Sequence, residues 1–557
     1  MKAERLIYLP LGGAGEVGMN AYVYGYGPKG KERLILVDLG VTFPDMDGSP
    51  GVDLILPDVT WLEERRDRLE AIFITHAHED HVSALGHLWQ RLKAPVYARD
   101  FTARIAARKM IEAGQSADPV KTVAPMPEVV EAGPFSVRFV PVSHSLPEAS
   151  GLIIDTPAGR VVHTGDFKLD MTPGVGTPFD PDLFAGIGAE GVKALVCDST
   201  NVFTQHPGRS ESTLPEPITR LVREAPGMVV ATTFASNVAR LRTLAFAARD
   251  AGRSVCLLGR AMHNMVRTAT EAGLLHDFPA TVTPEEAADL PREKVMLIVT
   301  GSQGERRAAS AQLARGTFMG LSLKEGDTFL FSSMTIPGNE REVLRVVNAL
   351  SEKGVDVVDA TAGLYHVSGH ANRPDLERMH ELLKPRMLVP MHGEHRHLRR
   401  HAKLGAERGI AAAVAPNGTM LDLTGEAPVV VDQVRTGRLY LDGTVVYGAM
   451  DGIVRERLRM ALNGHVLVTL IIDEDGMPLG DAWADPQGLA RQGRSRRALN
   501  EVIEEELAEE LDRANRKLLG NDDKLIDVIK RRVRACCVDE IGKKPEVTVV
   551  ISRLSDD

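Results

Sequence analysis

Cysteine is scarce in this chain. Four occur in 557 residues, Cys536 and Cys537 adjacent and Cys197 and Cys256 isolated, which excludes a disulfide framework and any CxxC metal pair and suits a reducing cytoplasm. Long apolar runs are missing too. No stretch approaches the ~20 residues that cross a bilayer, and Leu6–Leu11 is short and runs into glycines, unlike a secretory leader. The expectation is a cytoplasmic protein with no membrane partner. Basic residues are not in excess: 66 Lys and Arg stand against 76 Asp and Glu, a net charge of −10. That excludes a uniformly basic surface but leaves room for a basic groove on an acidic body. Internal repeats and low-complexity tracts are absent. What remains is ordinary globular composition, 43% hydrophobic and 25% charged, in a chain long enough for two or three domains.

Hydrophobic patterning divides the chain. Residues 1–204 read as short strands in quick succession, each ending in turn or polar residues. Residues 205–369 alternate helical patterns with buried strands, which predicts a separate parallel-sheet unit. The first style returns over 370–446, so the middle unit reads as an insertion into a discontinuous host domain. A polar connector, 447–463, leads to a terminal unit, 464–557, with the pattern strand, helix, helix, strand. That unit carries no ligand cluster and reads as an oligomerisation or docking module.

The densest chemistry lies in His76-Ala77-His78-Glu79-Asp80-His81, directly after an apolar stretch. Neutral imidazole and carboxylate are ligands that borderline divalent cations accept. The competing reading is a solvated loop that happens to be rich in histidine. Two further residues argue against it: His144 and Asp166 each follow a β-rich segment, where loops gather at one edge of a sheet. Alone, a strand-end Asp is more often a turn former. A second motif, Gly13 to Gly18, fits the G-x-G-x-x-G pattern of a dinucleotide site. It is rejected here because Asn20–Tyr26 alternates like a strand where a helix would have to open.

Asp38, His76-x-His78-x-Asp80-His81, His144 and Asp166, in that order, resemble the ligand series of the metallo-β-lactamase superfamily. Asp198 in CDSTN, His370 in HVSGHA and His392 in PMHGE resemble the extra motifs of its nucleic-acid-processing branch, the β-CASP nucleases. With Leu11–Asn20 (LGGAGEVGMN), Thr300–Glu305 (TGSQGE) and Ser332–Glu340 (SSMTIPGNE), the resemblance narrows to the ribonuclease J family and covers nearly the whole chain. It implies an α/β fold: an αββα sandwich, an inserted parallel-sheet β-CASP domain and a small C-terminal α+β domain. It also implies two divalent cations, zinc or alternatively manganese. His76, His78 and His144 would hold one, Asp80, His81 and His392 the other, and Asp166 would bridge them. Asp38 would orient the ligand loop. His370, held by Asp198, would stabilise or protonate the departing oxygen, and these two with Asp80 form the implied catalytic set.

Metals alone do not name a substrate. Ser332, Ser333, His366, Ser368 and Gly369, with His370, are small or polar residues at strand ends and turns, able to bring donors close to an anion. They are the candidate pocket for a 5′-phosphate. The resemblance implies a ribonuclease in RNA maturation and decay, acting on single-stranded RNA 5′→3′ from monophosphate ends and also cutting internally. A homodimer is expected, with a tetramer as the alternative, as are RNA-degradation partners. The rivals are a small-molecule hydrolase of the same superfamily and a docking subunit with an idle metal fold.

Overall fold

The computed structural model describes residues 4–45, 47–336, 338–359 and 363–554. The chain divides into two compact units, Met1–Thr42 with Leu56–Arg438, and Phe43–Ile55 with Leu439–Asp557.

In the first unit two sheets stack face to face. One has eight strands in the order Val429–Gln433, Thr419–Asp422, Glu4–Gly12, Ala21–Pro28, Arg33–Val37, Leu69–Phe73, Val96–Ala98 and Val120–Thr122. The other has seven, Ala411–Ala412, Met387–Met391, Ala194–Asp198, Gly159–His163, Ser150–Thr156, Phe135–Pro141 and Val130–Ala132. Tyr8, Tyr22, Tyr24 and Phe73 of the first sheet pack in one core with Phe139, Ile154, Val196 and Val389 of the second. A further core joins the other face of the second sheet to Phe184, Leu376, Met379, Leu383 and Leu404, which lie on the helices Pro181–Ala189, Arg373–Leu383 and His395–Glu407. This is the expected αββα sandwich.

The insertion carries a five-stranded sheet ordered Ser254–Leu258, Val295–Val299, Val229–Thr232, Thr328–Phe331 and Asp356–Val358, with every pairing parallel. Val229–Thr232 and Val295–Val299 are buried at every position. A parallel sheet covered on both faces needs such continuous apolar runs, and separate clusters do fill its two sides.

Helices of the host domain were the elements least visible in sequence. Asp100–Glu112 buries Phe101, Ile105 and Met110, but its many basic residues dilute that stripe. Pro181–Ala189 did carry a start signal: the Asp180 carboxylate accepts from Asp182 N and Leu183 N, with proline in the first turn. The glycines of residues 12–18 open no helix, since Ala21–Pro28 is a strand. Close approach explains a glycine further on. A Cβ at Gly40 would lie 1.7 Å from the Asp80 carbonyl oxygen, so only glycine lets that loop pass.

In the second unit His465–Ile472 pairs antiparallel with Trp483–Gln487 and parallel with Glu546–Arg553. Val466, Val468, Ile503, Leu507, Ile529 and Val533 form its core. The first of the two helices expected in 464–557 is split into Leu499–Asp512 and Arg516–Leu519, because the Asn515 side chain caps Leu518 N and starts a new turn. The segment 447–463 is not a plain connector. It contains the helix Ile453–Asn463, which buries only Val454 and so shows little apolar periodicity. Among the described residues no helix is long and apolar enough to cross a membrane.

His380 and His401 meet in the core of the first unit, Nε2 to Nε2 at 3.1 Å, with Ser199 Oγ 2.9 Å from His401 Nδ1. Burial, then Arg408, lowers His380 to about 4, and burial, then His380, holds His401 well below the usual range. Both rings therefore take up protons on unfolding. The stability tied to them is whole above the unfolded value of about 6.5 and is lost as pH falls toward about 4, at up to about 1.4 kcal/mol per pH unit for each ring. Urea titrations between about pH 7.5 and 4.5 should show His380→Gln flattening that acid limb.

Candidate metal centre

The strands Arg33–Val37, Leu69–Phe73, Phe135–Pro141, Gly159–His163, Ala194–Asp198 and Met387–Met391 deliver their final or following residues to one edge of the sandwich. There His78 Nδ1 lies 3.0 Å from His76 Nε2 and 3.1 Å from His144 Nε2. Beside them Asp80 Oδ2 lies 3.6 Å from His81 Nε2 and 3.3 Å from His392 Nε2. Asp166 Oδ2 stands between the two groups. It is 3.7 Å from His76 Nε2 and 3.9 Å from His144 Nε2 on one side, and 3.3 Å from His81 Nε2 and 3.6 Å from His392 Nε2 on the other. These residues form clusters with ligand-atom spacing suited to metal ions.

Each inward-facing ring is tethered through its far nitrogen. Asp38, fully buried with φ of 62°, accepts from Thr75 N at 2.8 Å, from Thr75 Oγ1 at 2.9 Å and from His81 Nδ1 at 2.8 Å. Thr75 Oγ1, its own proton spent on Asp38, accepts from His76 Nδ1 at 3.0 Å. His144 Nδ1 donates to the Gly369 carbonyl at 2.6 Å. His392 Nδ1 donates to Thr200 Oγ1 at 2.8 Å, and Thr200 Oγ1 donates to Asp198 Oδ1 at 2.7 Å. With Nδ1 committed to these partners, the Nε2 atoms of His76, His81, His144 and His392 all face the cradle. Asn20, bonded by Tyr22 Oη, gives its amide to the Asp80 backbone and carboxylate at 3.0 and 3.2 Å.

The donor set fits divalent cations. Asp166 Oδ1 is buried with no hydrogen-bond partner, and among the described residues the ion pairs of Asp80 and Asp166 are with histidines alone. Close lone pairs of nitrogen and oxygen, with no lysine or arginine among them, form a site that cations neutralise. The electrostatics agree. Burial, then His81, pushes His76 well below the usual imidazole range, and burial lowers His78 to about 4. Burial opposes charge on His392 as well, yet Asp166 and Asp80 outweigh it and raise that ring to about 9. The carboxylates thus draw positive charge into the cradle.

Next to this cradle His370 Nδ1 donates to Asp198 Oδ2 at 2.8 Å and lies 3.9 Å from Asp166 Oδ2. Ser368 Oγ accepts from Asn201 Nδ2 at 2.8 Å and from His370 N at 3.1 Å. A Cβ at Gly369 would meet His144 at 2.8 Å, so this residue packs against a cradle ring. Ser333 Oγ is buried without a partner. Ser332 is engaged differently from the expectation of a free donor: its hydroxyl donates to Tyr365 O at 2.7 Å and accepts from Arg240 Nη1 at 2.9 Å. The same Arg240 nitrogen faces His366 Nδ1 at 3.4 Å. The sequence reading singled out neither Thr75, Thr200, Asn20 and Asn201 nor the Arg240 beneath Ser332. Thr200 and Asn201 follow Asp198 in CDSTN, and Asn20 ends LGGAGEVGMN, so position beside a motif was their signal. Arg240 had none.

Residues 14–206 match the metallo-β-lactamase superfamily, 226–350 the ribonuclease J β-CASP domain, 340–416 the Zn-dependent metallo-hydrolase RNA specificity domain, and 452–554 the ribonuclease J C-terminal domain. Over 556 residues the chain is 43% identical to ribonuclease J of Sinorhizobium meliloti, covering 99% of this chain and 98% of that relative. The chain belongs to the ribonuclease J family. The family's ribonuclease J from Mycolicibacterium smegmatis is 36% identical over 505 residues, 89% of each chain, and that from Thermus thermophilus is 36% identical over 479 residues, 84% of this chain and 82% of the relative. A crystal structure of a protein of unknown function from Enterococcus faecalis, 17% identical, matches with a TM-score of 0.50 over 75% of this chain and all of that one, a likeness of fold. As a ribonuclease J family member with this His/Asp cluster, the chain is a metal-dependent hydrolase.

Asp38 reaches the cradle through its hydrogen bonds to the far side of His81 and to Thr75. Asp38→Asn should lower metal affinity about 10- to 100-fold while leaving the far-ultraviolet circular dichroism unchanged, measured by competition with a chromophoric chelator.

Proposed function

We propose that this ribonuclease J family member holds two divalent cations and hydrolyses single-stranded RNA, 5′→3′ from monophosphorylated ends, with internal cleavage as a second mode. His76, His78 and His144 would hold one cation and Asp80, His81 and His392 the other, with the Asp166 carboxylate standing between the two groups. The observation that carries the reading is Asp166 Oδ2, within 4 Å of imidazole nitrogens from both groups. Zinc suits this nitrogen-rich set, with manganese the alternative. When bound, such a pair supplies Lewis-acid chemistry, drawing charge from a phosphodiester and making water more acidic.

The chain's own groups do the rest. His370, its Nδ1 committed to Asp198, turns Nε2 outward as the group that gives a proton to the departing ester oxygen. The 5′-phosphate pocket comprises Ser333, His366, Ser368 and Gly369 over a floor that contains Ser332. Ser333 Oγ is a buried donor without an acceptor. Ser368 Oγ accepts two bonds and keeps its proton free. Burial, then Arg240, lowers His366 to about 3, so this ring is neutral, and with Nδ1 facing Arg240 its proton sits on Nε2. Neutral donors aimed at one anion select a single phosphate by hydrogen bonding. The match of residues 340–416 to an RNA specificity domain favours RNA over a small-molecule ester. The cytoplasmic homodimer, its tetrameric alternative and RNA-degradation partners rest on the family resemblance.

End-labelled RNA bearing a 5′-monophosphate, 5′-hydroxyl or 5′-triphosphate tests this reading. Mononucleotides should come chiefly from the monophosphate substrate, and both chelator and His78→Ala should abolish their release. Equal rates on all three ends would remove the pocket and leave a nuclease. His370→Gln should reduce kcat about 10²- to 10⁴-fold with metal content unchanged by elemental analysis; an unaltered kcat rejects its role as acid.

A further inference from the structure

Beneath the proposed pocket runs a file of buried charges that the reaction does not use. Lys168 Nζ lies 2.9 Å from Asp170 Oδ2 and 3.9 Å from Glu211 Oε2. Glu211 grips Arg240 in a fork, Nε to Oε1 at 2.6 Å and Nη2 to Oε2 at 3.0 Å. Arg240 is wholly enclosed, and its Nη1 donates to both the carbonyl, at 2.6 Å, and the hydroxyl, at 2.9 Å, of Ser332. Asp170 ties the file to the backbone, accepting from Glu211 N at 2.9 Å and from Ser210 Oγ at 2.6 Å.

The two ends of the file matter most. At one end Lys168 follows Asp166 by two residues, its N–H donates to Ser143 O at 2.8 Å, and Ser143 Oγ donates to Asp170 O at 3.0 Å. Ser143 immediately precedes His144. This end is therefore the paired backbone that carries two cradle residues. At the other end are Ser332 and His366, from the sheet edge and the last turn of the insertion. Between them stand the short turn Glu211–Thr213 and the helix Val238–Asp250.

Two cations and two anions cancel, so the file adds no net charge to a bound phosphate. Nor is it a strong source of stability, since desolvation offsets most of the attraction in a buried ion pair. What a planar, bidentate guanidinium supplies is direction. We propose that Glu211 and Arg240 are positioning residues. They hold the Ser332–His366 floor at a set distance from His144 and Asp166, and so determine both the preference for a 5′-monophosphate and the length of the released fragment. The inference rests on the pocket assigned under Proposed function.

Full-length, metal-loaded Glu211→Gln and Arg240→Lys test it. Each keeps the bulk of its side chain but loosens the fork, and Arg240→Lys also retains the charge. On 5′-monophosphate RNA, KM should rise about 10- to 100-fold, and fragments longer than one nucleotide should appear among the products. On 5′-hydroxyl RNA, kcat/KM should stay at the wild-type value, with metal content unchanged. Equal losses on both substrates would reduce the pair to a scaffold and overturn the inference, as would variants that discriminate and trim like the wild type. A wild type that treats both ends alike overturns the pocket and the inference with it, whereas a discriminating wild type beside equally discriminating variants overturns the inference alone. Should Arg240→Lys fail to fold, Glu211→Gln decides.

Discussion

One carboxylate oxygen, Asp166 Oδ2, is shared by the two halves of the centre, 3.7 Å from His76 Nε2 and 3.3 Å from His81 Nε2. Everything around it serves to keep that oxygen and those rings in register. His76 lies in the loop after Leu69–Phe73 of the first sheet and His81 in the short helix Glu79–Val82 that follows it; Asp166 lies in a turn of the second sheet, and His392 directly follows the strand Met387–Met391, reached only after the insertion. The two sheets must stack in one alignment for these groups to meet. The core under the centre ties the two sheets together: His163 Nδ1 lies 2.9 Å from Tyr24 Oη, and its ring packs against Tyr22 at 5.2 Å. A slip there would separate the bridging carboxylate from its rings.

The rings are aimed from outside. Asp38 and Thr75 orient His81 and His76 from within the first sheet, whereas Thr200 and Gly369 orient His392 and His144 from the second sheet and the end of the insertion. The insertion is therefore not an appendage, because its last residues hold a cradle ring in place. The same short stretch carries Ser368 and His370, so phosphate recognition and proton donation are proposed on a segment already fastened to the centre. Such outer partners govern metal affinity as much as the ligands themselves do.

Much of this was legible in the chain. The inner parallel strands of the insertion, Val229–Thr232 and Val295–Val299, are continuous apolar runs, and Ser254–Leu258 is bounded by Gly252 before it and Gly259 after it. The host helices were missed, since basic side chains on Asp100–Glu112 hide its buried stripe. The break at Asn515 was missed for a different reason. Hydrophobic spacing continues through it, and only the side-chain cap ends one helix and starts the next.

By itself the sequence determined which atoms are available. Imidazoles and carboxylates at strand ends, spaced as in His76-x-His78-x-Asp80-His81, are a local property that chemistry makes recognisable without coordinates. Only the tertiary structure decided what each atom faces. It spent the Ser332 hydroxyl on Tyr365 and Arg240, left Ser333 without a partner, turned Gly369 against His144, and buried Lys168, Asp170, Glu211 and Arg240 in one file. Those contacts join residues far apart in the chain, and hydrogen-bond satisfaction in a buried interior depends on three-dimensional neighbours that no local pattern encodes.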